Sequence, residues 1–219
     1  MDLKKEQELF SCGYKLIGAI DEVGRGPLAG PVVSACVIID NTFKISPELE
    51  AIRDSKKLSP KKRQELFPII KNSVKAVAIG ICDNKIIDKI NILQATFLSM
   101  RKALNTIDLK PDIILVDGKF PIPKIDIKQE AIISGDNIIF SIAMASIIAK
   151  VSRDFMMEEM DKKYPEYFFA KHKGYGTKLH MEMIEKFGPC PIHRFSFAPL
   201  SQPSSKSSPY LKHRPIQKD

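Results

Sequence analysis

A chain of 219 residues can hold one good-sized core, and one main domain is expected. Its net charge of +8 points to an anionic partner, with nucleic acid the first candidate. Cys12, Cys36, Cys82 and Cys190 form no C-x-x-C pair, which argues against a disulfide framework or a zinc site and for a reducing compartment. The N-terminus lacks the apolar run of a signal peptide, and the longest uncharged apolar stretch, Ile138 to Ala149, falls short of the about 20 residues that span a bilayer, so a soluble, cytoplasmic protein is expected.

Residues 1 to 15 mix charge with a few apolar anchors and predict a short helix. Leu16 to Ile20 predicts a strand that delivers Asp21 and Glu22 into a glycine-rich turn holding Gly24, Gly26 and Gly30. A second strand, Val32 to Ile39, follows in hairpin fashion. The glycines space as Gly-x-Gly-x-x-x-Gly and lead into a strand, which excludes the helix-opening phosphate loops of dinucleotide and P-loop sites. Within this turn Arg25 offers a planar donor suited to phosphate.

A polar connection, Asn41 to Leu49, leads to a basic stretch from Arg53 to Arg63. Ser59 as N-cap and Pro60 as first helical residue predict a helix from Pro60 to Lys71, with Lys56 and Lys57 in the loop before it. Val74 to Cys82 alternates like a third strand, whereas Asp83 to Leu104 has the spacing of one or two amphipathic helices. After Pro111 the wholly apolar run Ile113 to Val116 predicts a doubly buried fourth strand that stops at Asp117-Gly118.

Ile125 to Ile133 predicts a fifth strand or a pair of short ones, closed by Ser134-Gly135-Asp136. Asp136 would then cap a long helix, from about Asn137 to Lys163, that Tyr164-Pro165 stops. Thr177 to Phe187 predicts a further helix ended by Gly188-Pro189. From Ser201 the chain turns basic and rich in Ser and Pro, and a disordered tail with at most a weak electrostatic grip on a nucleic-acid backbone is expected.

Three acidic positions share one setting: Asp21 with Glu22 after the first strand, Asp117 after the fourth, and Asp136 before the long helix. Taken singly, each has an ordinary explanation as a solvated turn or an N-cap. Taken together, if the first and fourth strands are neighbours, the carboxylates converge at one sheet edge and require cations between them. Mg²⁺ or Mn²⁺ suits such oxygen ligands, and two ions would clamp a phosphodiester. Neighbouring strand residues point to opposite faces, so either the strand ends between Asp21 and Glu22 or Glu22 approaches from the loop. His172, His180 and His193 receive no chemical role.

The segments Asp21-Glu22-Val23-Gly24-Arg25-Gly26-Pro27-Leu28-Ala29-Gly30-Pro31-Val32, Asp54-Ser55-Lys56-Lys57-Leu58, Val116-Asp117-Gly118, Gly135-Asp136, Ala145 to Asp154, His172-Lys173-Gly174-Tyr175-Gly176-Thr177 and Ile192-His193-Arg194, in this order, closely resemble ribonuclease HII over roughly residues 16 to 200. The resemblance implies an α/β ribonuclease H-like fold, a five-stranded mixed sheet flanked by helices with a helical C-terminal part, in a catalytic domain of residues 1–200 followed by the tail, 201–219. It implies an endonuclease using two Mg²⁺ or Mn²⁺ ions to cut the RNA strand of RNA–DNA hybrids and to nick 5′ of single ribonucleotides in duplex DNA, leaving 3′-hydroxyl and 5′-phosphate ends.

On that resemblance Asp21, Glu22, Asp117 and Asp136 are the catalytic, metal-holding acids. Gly24, Arg25 and Gly26 read the ribose 2′-hydroxyl, Lys56 and Lys57 suit a phosphate, and Tyr175 stacks on the following sugar. The expected partner is an RNA–DNA hybrid or ribonucleotide-containing duplex and no membrane; the protein is expected to be a monomer, with the tail a candidate contact for a replication clamp. Arg25 and Asp136 favour this family over its sister, ribonuclease HIII. Val23, Met144 and Phe195 depart from its usual residues without touching the acids. The rival readings are a basic module that binds hybrids without cutting, and a resolvase-like nuclease of the same fold.

Overall fold

The computed structural model describes residues 1–201, apart from the side chains of residues 53–57, so the basic tail lies outside the described residues. These residues fall into two compact units: Met1–Val23 with Val33–Ile81 and Thr96–Ser152, and Gly24–Val32 with Cys82–Ala95 and the chain from Arg153 on.

The first unit is built on the sheet. β1 (Leu16–Val23) runs antiparallel to β2 (Val32–Asp40), with Leu16 opposite Asp40 and Val23 opposite Val33. On its other side β1 runs parallel to β4 (Ile113–Asp117), which is parallel to β5 (Lys128–Ile132). With β3 (Ala76–Cys82) the order is β3-β2-β1-β4-β5, the mixed five-stranded sheet expected.

Side chains of a strand alternate between faces, and here both faces are buried. Ile17, Ala19, Ala35, Val37, Ile39, Ile113 and Leu115 pack with Leu66 and Ile70 of α2 (Pro60–Ser73) and with the apolar first half of α4 (Phe140–Lys163). Ile20, Cys36, Ile38, Ile114 and Val116 face the other way, onto Phe97, Met100 and Ala103 of α3 (Asn84–Asn105). Fully covered strands need no polar alternation, which explains the unbroken apolar runs.

Local signals placed most helices. The Ser59 side chain accepts from the Lys62 amide at 3.1 Å and Pro60 opens α2, as the sequence predicts. The long amphipathic segment proves to be two helices: Asn91 takes φ 65°, and its Oδ1 accepts from the Gln94 amide at 3.0 Å to start the second.

Three expectations are corrected. β1 does not stop at Ile20 but stays paired with β2 through Val23, so Asp21 and Glu22 are strand residues. Lys56 and Lys57 close a 3₁₀ segment, Pro47–Lys57, rather than lying in a loop. Asp136 does not cap α4: it sits in a separate 3₁₀ turn, Gly135–Asn137, and the first turn of α4 is capped from a distance by Glu6 of α1 (Lys4–Ser11). Glu6 is fully buried, and its Oε1 accepts from the Ser141 amide at 2.9 Å and the Ser141 hydroxyl at 2.8 Å. A carboxylate at a helix N-terminus satisfies otherwise orphaned amides and opposes the helix dipole.

In the second unit α5 (Phe169–His172), α6 (Lys178–Phe187) and the latter part of α4 enclose a small core of Leu28, Ala29, Met157, Tyr167, Phe169, Ile184 and Cys190. Thr177 caps α6 by accepting from the His180 amide.

Replacing Glu6 by Ala should destabilise the chain by about 1–3 kcal/mol, because the Ser141 donors are then buried without an acceptor. Urea denaturation reads this as a lowered midpoint; an unchanged midpoint would mean the distant cap is dispensable.

Candidate active site

Parallel pairing of β1 with β4 runs from Ile17 opposite Ile113 to Ile20 opposite Val116, and the next residues on the two strands are Asp21 and Asp117. Both belong to the face that packs on α4, in step with Ile17, Ala19, Ile113 and Leu115. Asp21 is buried, with 5 % of its surface exposed; it accepts from the Glu22 amide at 2.7 Å and hydrogen-bonds the Ser146 side chain. Burial first, then the nearby carboxylates of Glu22 and Asp117, hold the Asp21 carboxyl well above the usual carboxylate range, and its two hydrogen bonds only partly offset this.

Asp136 joins through backbone. Its amide donates to Asp117 Oδ1 at 3.3 Å, while its own Oδ1 accepts from Asn137 Nδ2 at 2.8 Å. Gly135 permits this approach: a Cβ there would stand 2.6 Å from Ile142 Cδ1 and 3.3 Å from Asp117 Oδ1. Glu22 belongs by register to the opposite face from Asp21, yet with Asp136 it lines a cavity of about 190 Å³ shared with Val23, Arg63, Ser146, Ile147 and Lys150. By the pairing Glu22 stands opposite Ser34 inside β1, so the strand does not end between it and Asp21.

The four acids thus lie at one end of the sheet, linked pairwise. Among the described residues no group of three or more His, Cys, Asp or Glu side chains is placed to hold a metal ion. Lys56 and Lys57 are placed by backbone alone, at the end of the 3₁₀ segment, since their side chains lie outside the described residues.

Gly24, Arg25, Gly26 and Tyr175 lie together in the second unit. Gly24 takes φ 92°, and a Cβ on it would stand 2.3 Å from Arg153 Nε, so only glycine fits. Arg25 and Gly26 are exposed, and a Cβ on Gly26 would lie 3.8 Å from Tyr175 Cε1, beside a ring that is 41 % exposed. Arg153 and Arg194, to which the sequence reading gave no role, are both fully buried behind this loop. Arg153 donates to the carbonyls of Pro31, Lys173 and Ala29, and Arg194 to those of Gly24, Arg25 and Gly30. Their presence in motifs was the only signal; nothing in local spacing marks an arginine as buried.

The three histidines form a buried chain. The Gly174 amide donates to His172 Nδ1 at 3.2 Å, which leaves Nε2–H to donate to the Tyr167 carbonyl at 2.8 Å. The Cys190 amide donates to His193 Nδ1 at 2.9 Å, so His193 Nε2–H donates to His180 Nε2 at 3.0 Å, and His180 Nδ1–H donates to the Tyr175 carbonyl at 2.9 Å. Every ring is satisfied in its neutral form. Burial, together with the neighbouring rings, pushes His193 down to about 3 and His180 to about 4. Their role is structural: they hold the segment that carries Tyr175.

Carboxylates on adjacent parallel strands of a mixed five-stranded sheet match the arrangement expected of a ribonuclease H-like fold. The ribonuclease HII family matches residues 17–200. Ribonuclease HII of Caldicellulosiruptor bescii is 53% identical over 193 residues, spanning 88% of this chain and 91% of that one; the Clostridioides difficile protein is 53% identical over 192 residues, spanning 88% and 73%.

The ribonuclease H2 structure from Pyrococcus horikoshii OT3 matches with a TM-score of 0.70 at 27% identity, covering 85% of this chain and 95% of that one. Two more distant structures share the fold: ribonuclease HII of Archaeoglobus fulgidus, solved with PCNA (TM-score 0.70, 24% identity, 83% and 95% covered), and Bst-RNase HIII, solved with Mn²⁺ (0.65, 20%, 85% and 68%). The chain therefore belongs to the ribonuclease HII family: it is a divalent-metal-dependent ribonuclease H, an endonuclease acting on RNA–DNA hybrids. The non-catalytic binding module falls away.

Two outcomes follow from the charges. Asp21→Asn removes a buried like charge at constant shape, so the metal-free protein should melt several degrees higher at neutral pH, at roughly 2–4 °C per kcal/mol for a chain of this size. Because the Asp21 pKa is raised, its stabilising contribution is present in acid and lost as pH rises above the carboxylate range; the gain from Asn should therefore vanish near pH 3.8. A lower melting temperature at every pH would mean that the Ser146 and Glu22 hydrogen bonds outweigh the repulsion.

For the histidines the sign is opposite. Their folded-state pKa values lie below 6.5, so the unfolded chain takes up protons first, and their contribution, present above pH 6.5, is lost as pH falls toward about 4 and then about 3. His193→Gln should flatten the fall in melting temperature across that window; a parallel curve would sink the assignment.

Proposed function

We propose that this enzyme nicks duplex DNA on the 5′ side of single embedded ribonucleotides as well as cutting longer hybrids, leaving 3′-hydroxyl and 5′-phosphate ends. The observation that carries this is the placing of Asp21 and Asp117 side by side at the ends of parallel strands, each within the other's field, with Glu22 and Asp136 on one adjoining cavity. The donor set is all oxygen, which fits hard divalent ions.

Asp21, Glu22, Asp117 and Asp136 would hold two Mg²⁺ or Mn²⁺ ions. When bound, such a pair activates water and stabilises the leaving oxygen of a phosphodiester. Ser146 orients Asp21, and the Asp136 amide orients Asp117. Arg63 and Lys150, on the wall of the same cavity, favour a phosphate there. Exposed Arg25-Gly26 backbone beside Tyr175 meets the sugar, the one place where RNA and DNA differ, and the tyrosine ring stacks on the next one. Lys56 and Lys57 grip phosphate without reading sequence. The enzyme acts as a monomer in the cytoplasm, and its tail is a candidate contact for a replication clamp.

A duplex with one ribonucleotide, incubated with Mg²⁺ or Mn²⁺, should be nicked on its 5′ side and spared in EDTA, while an all-DNA branched junction stays intact. Asp117→Asn should lower the rate at least about a hundredfold with binding kept within a few-fold, since it removes charge from the reacting site and not from the duplex grip. Cutting of the junction, or an unimpaired Asp117→Asn enzyme, would overturn the reading.

A further inference from the structure

Arg194 lies beneath the glycine-rich loop, fully buried, and its fork makes four hydrogen bonds to that loop's backbone. Nη2 donates to the Gly24 carbonyl at 2.6 Å, Nη1 to the Arg25 carbonyl at 3.0 Å, and Nε and Nη2 to the Gly30 carbonyl at 3.0 and 2.9 Å. In a planar trans peptide the N–H points opposite to the C=O. Turning the Gly24 and Arg25 carbonyls inward therefore directs the amides of Arg25 and Gly26 away from Arg194. Both residues are exposed there, beside the Tyr175 ring.

We infer that Arg194 is the positioning residue for ribose selectivity: by holding two successive carbonyls of the Gly24–Gly26 segment, it aims the loop's amides at the sugar without touching substrate. This rests on the reading that the loop faces the ribose. A second contact set fixes the frame in which Arg194 acts. The Arg194 amide donates to the Leu28 carbonyl at 2.8 Å and the Gly30 amide to the Ile192 carbonyl at 2.9 Å, so loop and guanidinium share one rigid support.

Lysine cannot replace it. An ammonium is a single point of donors on a flexible stem, whereas the three carbonyls are met here by a planar fork. Charge and approximate volume survive in Arg194→Lys, but the fixed geometry does not.

The test compares full-length wild type with Arg194→Lys on two duplexes of one sequence, all-DNA and carrying a single ribonucleotide. Dissociation constants are measured in Ca²⁺ and nicking rates in Mg²⁺. Wild type should bind the ribonucleotide duplex more tightly. In the variant that preference should shrink about tenfold, the equivalent of one hydrogen bond to the sugar, while all-DNA affinity stays within about twofold. A preserved preference, or equal losses on both duplexes, overturns the inference.

Should Arg194→Lys fail to fold, amide hydrogen exchange on wild type decides. Arg25 and Gly26 should be slowed by the ribonucleotide duplex and not by the all-DNA one, and equal slowing overturns the idea. Wild type that does not nick the ribonucleotide duplex at all would instead sink the underlying reading, so the two failures are distinguishable.

Discussion

The parallel pairing of β1 with β4 is the constraint from which the site follows. It sets Asp21 beside Asp117 at the sheet's end, on the face that α4 covers, and buries one of them. A buried carboxylate with a second one in its field is unfavourable by several kcal/mol. The chain accepts this locally and stabilises it elsewhere, through a sheet covered on both faces. Such a conflict between stability and charge is what marks a site shaped for a ligand.

Around that conflict the fold supplies oriented dipoles. Ser146 reaches Asp21 from α4, the Glu22 amide folds back on the same carboxylate, and the Asp136 amide meets Asp117. The first turn of α4 is fixed in its turn by Glu6, from the far end of the sequence. Each contact holds a carboxylate in place.

The second unit meets a different problem, that of a largely buried loop whose ladder is a single bridge, Ala29 opposite His193. Backbone carbonyls away from water must find donors, and those of Gly24, Arg25, Ala29, Gly30 and Pro31 find them in two buried guanidiniums. Burial and the proximity of Arg153 bring Arg194 down to about 9. The neutral histidine chain does the same for the segment carrying Tyr175. Both arrangements use side chains to give loops the rigidity that sheets obtain from their ladders.

The sequence by itself determined what short-range physics controls: the β-branched runs of β1, β2 and β4, the Ser59-Pro60 start of α2, the helix over Thr177 to Phe187, and the acids that follow the apolar runs. Its motifs also carried the family. Tertiary structure alone decided that β1 and β4 are neighbours, that β1 continues through Glu22, that Glu6 and not Asp136 caps α4, and that Arg153 and Arg194 are interior. The reason is separation along the chain. Glu6 meets Ser141, and Arg194 meets Gly24, only once the core has closed; no periodicity within either segment records a partner more than a hundred residues away.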